Sequence, residues 1–182
     1  MAKILDEEKG KIHLGAGVKE VLVEKRKAIG VRLETGEEVK ADHVVLNADF
    51  GHAMTHLFQK GLLRKWTPEK LERKQFSCST FMLYLGVDKL YDVPHHTIVF
   101  SPDYRKNVEE IAERYELSED PSFYVQNACI TDPSLAPRGQ STIYVLVPVA
   151  NNRSEIPWEE KKQAYREKVL DLMETKAGLP DI

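Results

Sequence analysis

His52 and His56 stand four residues apart, the spacing that sets two imidazoles on one side of a helix, as metal ligation would require. No third ligand is suggested nearby, and no glutamate accompanies them as in H-E-x-x-H, so two exposed imidazoles and no bound metal are expected. His95 and His96 follow Pro94 and run into a strand. Adjacent strand residues point to opposite faces, so the two rings are not expected to ligate together. Ser77, Ser79 and Thr80 surround Cys78, but a hydrolytic nucleophile needs a sharp exposed turn and a nearby base, and these residues lie in a strand-like run. Cys129 reads as a small buried apolar residue rather than a reactive thiol. Asp120 and Asp132 each precede a proline, and turn chemistry accounts for both without a general acid–base pair. Gly15-Ala16-Gly17 begins like a phosphate-binding loop, yet Val18 to Glu24 alternates like a strand where that loop needs a helix, so an ordinary turn is expected.

Composition narrows the classes further. The chain has 182 residues, 30% of them charged, and a formal charge of -3. No global positive field would recruit nucleic acid or an anionic membrane. Two cysteines far apart suggest neither a disulfide framework nor a zinc ribbon, which points to a cytoplasmic setting. The lead-in MAKILDEEKG lacks an apolar stretch, and no later run reaches the length of a membrane span, so any membrane contact is peripheral.

Elements follow from period and punctuation. IHL and VKEVLVEKR read as strands, and KAIGVRLE returns across a turn near Lys25 to Lys27, with Thr35-Gly36 as a second turn. KADHVVLNA carries the continuous apolar centre Val44-Val45-Leu46 of a buried strand, and Asp49 caps a helix through Phe58. Thr67-Pro68-Glu69 starts a short second helix. From Ser77 to Val87 the residues alternate, with Phe81, Leu83, Leu85 and Val87 on one face and Cys78, Thr80, Met82 and Tyr84 on the other. HTIVF is a further strand. DYRKNVEEIAERY sets Tyr104, Val108, Ile111 and Tyr115 at helical spacing behind Asp103, predicting a one-sided amphipathic helix. Paired strands Phe123 to Ile130 and Ser141 to Val149 precede a last helix, Pro157 to Lys176, closed by Gly178 and Pro180. The fold class is α+β: a mixed, largely antiparallel sheet covered by helices on one face.

The passage SFYVQNACITDPSLAPRGQSTIYVLVPV, flanked by ADHVVLNADF, FSCSTFMLYLGVDKLYDVPHHTIVFSPDYRKNVEEI and VPVANNRSEIPW, resembles the middle of the flavin-dependent carotenoid desaturases, the phytoene and diapophytoene dehydrogenase family, which are related to flavin amine oxidases. The likeness covers nearly the whole chain. It implies an excised middle piece, 1–182 forming a single substrate-binding domain with 1–50 partly the edge of a flavin domain. By that resemblance the intact protein binds FAD and desaturates a long isoprenoid such as phytoene or dehydrosqualene, while this piece alone is inactive and holds no FAD. The same likeness makes Val18 similar to a residue whose backbone touches the adenine of FAD. Another apolar substrate for an amine-oxidase-like enzyme, or a free-standing lipid- or protein-binding module, are the competing classes.

A hydrocarbon offers no charge to anchor, so its recognition relies on an apolar cavity. The odd positions Phe81, Leu83 and Leu85 of the strand from Ser77, and Ile143, Val145 and Val147 of the strand from Ser141, are wholly apolar and are expected under helices. The even positions Thr80, Met82, Tyr84, Thr142, Tyr144 and Leu146 mix rings, a thioether and hydroxyls, as a polyene cavity wall needs. The plainer alternative is that both faces are core, with the tyrosines at the rim. An unpaired sheet edge also offers a route to oligomers.

Overall fold

The computed structural model describes residues 2–182. The chain folds as two compact units, one running to Gln75 and the other from Phe76 to Ile182.

The first unit is built on a three-stranded antiparallel sheet of β1 (Val18–Glu24), β2 (Lys27–Leu33) and β3 (Glu38–Lys40), in that order. The β1–β2 turn puts both Lys25 (φ 46°) and Arg26 (φ 67°) in the left-handed region, the conformation that matches the twist of the flanking strands. Gly30, opposite Lys40, sits so close to β3 that an added Cβ would lie 2.2 Å from the Val39 carbonyl oxygen. Arg32 lies between Glu20 and Glu38 on the neighbouring strands and pairs with both. A short helix α1 (Ala2–Glu7) buries nothing. The cap readings hold: Asp49 accepts the His52 N–H at 2.7 Å to start α2 (Phe50–His56), and Thr67 caps the five-residue α3 (Pro68–Glu72).

Two expectations in this unit fail. IHL forms no strand, and the Val44-Val45-Leu46 run is unpaired, with Val45 92% exposed. A buried strand needs partners for its backbone groups, and no strand of this unit pairs with the run.

The second unit carries a four-stranded sheet in the order β4 (Ser79–Val87), β7 (Ser141–Val149), β6 (Phe123–Asn127), β5 (His96–Val99), every neighbouring pair antiparallel. The β4–β7 register runs unbroken from Ser79 opposite Val149 to Val87 opposite Ser141. One face is covered by α5 (Trp158–Ala177), which lays Tyr165, Val169, Met173 and Ala177 in a stripe against Leu83, Phe123, Val125, Ile143, Val145 and Val147. The helix ends as expected at Gly178 (φ 73°), which returns fully buried Leu179 to the core. The α+β architecture with helix on one sheet face is therefore as the alternation implied.

The helix α4 (Tyr104–Glu109) departs from its expected orientation. The first two residues of its predicted apolar stripe face outward, Tyr104 54% and Val108 43% exposed, with Ile111 and Tyr115 half-buried, while Asn107 and Glu110 are buried. The cause is polar: the Asn107 side-chain oxygen accepts the Ser122 N–H at 3.0 Å, and the chain then widens into a π-turn over Glu110–Arg114 that breaks the 3.6-residue phase. β6 also ends earlier than expected. The buried Asn127 amide donates to the Tyr91 and Val93 carbonyls, and Ala128–Ile130 coils into a 3-10 turn.

Candidate functional site

The uncovered face of the four-stranded sheet collects the even positions. Register places them in rows that cross all four strands: Met82, Leu146, Tyr124 and Ile98 form one, and Tyr84, Tyr144, Gln126 and His96 the next. Each row spans three inter-strand gaps, about 14 Å. The first is apolar except for the Tyr124 hydroxyl. Tyr84 and Tyr144 of the second meet edge to face at 5.2 Å, and Tyr124 of the first bridges Tyr144 at 6.1 Å and His96 at 5.9 Å, so rings run across the sheet between the two rows.

Six residues expected on one wall, Thr80, Met82, Tyr84, Thr142, Tyr144 and Leu146, thus share this face, opposite Leu83 and Val145 beneath α5. Tyr84 is 76% exposed, and Met82, Tyr144 and Leu146 are half-buried. Several polar atoms on the face are paired with other protein groups. The Tyr144 hydroxyl approaches the Met82 sulfur at 3.9 Å, His96 Nδ1 shares a 2.7 Å hydrogen bond with the Tyr124 hydroxyl, and the Gln126 amide donates to His95 Nε2 at 3.1 Å. No aspartate or glutamate occupies the two rows. What the surface offers is ring faces, a thioether and aliphatic groups, suited to an apolar ligand rather than an ion.

Sequence reasoning missed Tyr124, Gln126, His96 and Ile98 as members. The signal was available for the first two, because a strand from Phe123 paired with one from Ser141 must contribute its own even positions to the same face.

The remaining candidates sort by geometry. His95 and His96 rings lie side by side at 4.2 Å, not on opposite faces, because β5 starts only at His96 and His95 is free of its pleat. His95 Nδ1 is hydrogen-bonded to the Thr131 hydroxyl at 2.7 Å. His52 and His56 stack at 4.5 Å on exposed α2, with His56 Nδ1 hydrogen-bonded to the Thr55 hydroxyl at 2.8 Å. Among the described residues no three His, Cys, Asp or Glu side chains form a cluster fit for a metal. Cys78 is exposed at the lead into β4, whereas Cys129 is buried, its sulfur accepting the Thr142 N–H at 3.3 Å. Asp132 caps the turn at Pro133–Leu135, and the N–H and hydroxyl of Ser134 hold its carboxyl below the ordinary aspartate range. Asp120 pairs with Lys176.

Gly15 turns at φ 67° and Gly17 leads into β1, so the glycine pair is a turn before a strand. Among the described residues no glycine-rich loop opens a helix, and a dinucleotide pyrophosphate finds no cradle of the usual kind. Val18, in the first unit, opens β1 opposite Leu33 and is 37% exposed. No helix among the described residues is long and apolar enough to cross a membrane.

Known proteins align with this chain over nearly its full length. It is 51% identical over 182 residues to a 4,4'-diapophytoene desaturase (4,4'-diapolycopene-forming) from Methylomonas sp, covering 100% of this chain and 36% of the relative. It is 40% identical over 181 residues to a phytoene desaturase (neurosporene-forming) from Rhodobacter capsulatus, covering 96% and 34%. The chain therefore spans about a third of the length of these curated relatives. A crystal structure of an oxidoreductase from Methanosarcina mazei superposes on 95% of this chain and 36% of its own with a TM-score of 0.64, at 19% identity, a likeness of fold. The profile of the flavin containing amine oxidoreductases matches residues 1–179, and the chain belongs to that family.

Proposed function

We propose that the intact protein is an FAD-dependent desaturase of a long isoprenoid hydrocarbon, phytoene or dehydrosqualene in kind, and that this chain supplies the wall on which the hydrocarbon lies. The observation that carries the reading is the open sheet face: aliphatic, thioether and aromatic side chains in two adjacent rows, the Tyr124, His96 and Gln126 polar atoms hydrogen-bonded within the protein, and no carboxylate in either row to greet an amine. The names of the relatives point the same way.

When bound, a flavin supplies a hydride acceptor for an allylic carbon. The residues of this chain act on the other reactant. Met82, Leu146, Tyr124 and Ile98 exclude water along one edge of the hydrocarbon, and the tyrosine rings fix its height above the sheet. Val18 contributes a main-chain contact to the adenine, and catalysis requires the rest of the enzyme. Cytoplasmic placement with a peripheral membrane contact completes the reading, the exposed Phe100 and Tyr104 being side chains that an apolar interface would cover.

The test is a host that makes phytoene, given the full reading frame. Coloured polyene should accumulate, and Leu146→Asp should abolish it while the exposed-helix variant Lys162→Glu leaves it intact. An unaltered yield from Leu146→Asp would sink the wall assignment, and product formed only from an amine would sink the substrate.

A further inference from the structure

Gly86 is out of place in a strand. Glycine weakens a strand interior, and the usual reasons for tolerating it are a bulge, a special backbone angle or something approaching closely. The β4–β7 register passes through Gly86 opposite Thr142 without a shift, so there is no bulge. Gly86 is not among the residues of positive φ, and a Cβ built on it meets nothing within 4 Å. Neither its own backbone nor its neighbours demand the missing side chain. Close approach by something outside the chain is the reason that remains.

The empty space is part of a pocket of about 380 Å³ on the open face, lined by Tyr84, Gly86, Gln126, Ala128, Thr142 and Tyr144 among others. That volume lies at the low end for ligand pockets, roughly 300–1,000 Å³, and suits one end of a long molecule rather than the whole. Its polar groups look elsewhere. The Thr142 hydroxyl lies 3.4 Å from the Cys129 sulfur, and the Gln126 amide donates to His95. The edge-to-face rings of Tyr84 and Tyr144 and the methyl of Ala128 are left to meet a ligand. The pocket opens beside the aromatic row, where the strand pleat brings Gly86 two residues beyond Tyr84.

We infer that this pocket receives the methyl-branched terminus of the hydrocarbon, and that Gly86 is the position that sets how far the terminus enters; the inference rests on the substrate-wall reading above. A larger residue there shortens the stop, and glycine leaves it open.

The experiment uses the 182-residue chain with squalene carried in cyclodextrin, and methyl NMR on Met82, Leu146, Ala128 and Thr142. Wild type should show shifts at all four. Gly86→Val should lose the shifts at Ala128 and Thr142, weaken squalene about tenfold, in line with filling a packed space, and keep the shifts at Met82 and Leu146; Gly86→Ala should fall between. Both variants should unfold at or above the wild-type temperature, since no structural demand for glycine exists. Silence at Met82 and Leu146 in the wild type overturns the wall reading and the pocket with it. Shifts at those two with none at Ala128 and Thr142, or unchanged binding by Gly86→Val, overturns the pocket alone. A lower unfolding temperature in both variants overturns it too, by giving the glycine a structural reason.

Discussion

Val145 and Leu146 are neighbours on β7 and face opposite ways, so the same substitution at each should give opposite outcomes. Val145 is fully buried beneath α5 among Leu83, Val125 and Val169. Val145→Asp forfeits about 1.5–3 kcal/mol of apolar burial and places a carboxylate where no cation or donor is at hand, a further cost of about 3–5 kcal/mol. The sum, about 4.5–8 kcal/mol, is comparable with the lower half of a domain's total stability, about 5–15 kcal/mol. At about 4–8 °C per kcal/mol the melting transition should fall by more than about 20 °C or vanish. Leu146→Asp puts the same carboxylate on the half-buried open face, where water reaches it, and should cost about 1 kcal/mol or less. Circular dichroism melts and amide NMR dispersion of the two variants side by side provide the assay. A folded Val145→Asp with an unfolded Leu146→Asp, or equal losses in both, would refute the face assignment on which the proposed wall depends.

The purified chain should be colourless after desalting, because one edge contact at Val18 does not offset the cost of immobilising so large a ligand; stoichiometric flavin absorbance would contradict this. Asn107→Ala should cost about 1–3 kcal/mol in urea unfolding, since the Ser122 N–H then loses its acceptor; a cost below about 0.5 kcal/mol would show that water replaces it. Asp132 has a depressed folded pKa, with hydrogen bonds from Ser134 as the main cause, so its contribution to stability is present above the ordinary aspartate pKa of about 4 and is lost as the pH falls through the depressed value. Unfolding curves of wild type and Asp132→Ala should therefore differ at neutral pH and converge in acid, and a constant gap would rule the linkage out.

Local signals carried most of the fold. Asp49, Thr67 and Gly178 each sit where their own side chain or backbone freedom decides a helix end, which is why short windows revealed them. Alternation on β4 and β7 revealed both faces, because a strand covered on one side sorts its residues by parity. The failures are all questions of partnership. Val44-Val45-Leu46 has the composition of a buried strand but no neighbour in its unit, and composition does not report neighbours. The start of the α4 stripe points outward because a single asparagine makes a better contact inward than Tyr104 or Val108. The histidine pair depends on where β5 begins, to within one residue. For the wall, parity gave the two central strands, and only the register showed that Tyr124, Gln126, His96 and Ile98 extend it.

The central pairing of the second unit has a kinetic consequence. β4 and β7 meet across separations of 54 residues (141 − 87) to 70 residues (149 − 79), while every other strand of that sheet lies in the chain between them. Closing a loop of that length costs about 3 kcal/mol more than closing the two-residue turn between β1 and β2, and none of it is returned until β7 has been made. During synthesis β4 therefore leaves the ribosome long before its partner exists. The Phe81-Leu83-Leu85 face waits uncovered through that interval. Slow, chaperone-sensitive folding is the expected behaviour of this unit.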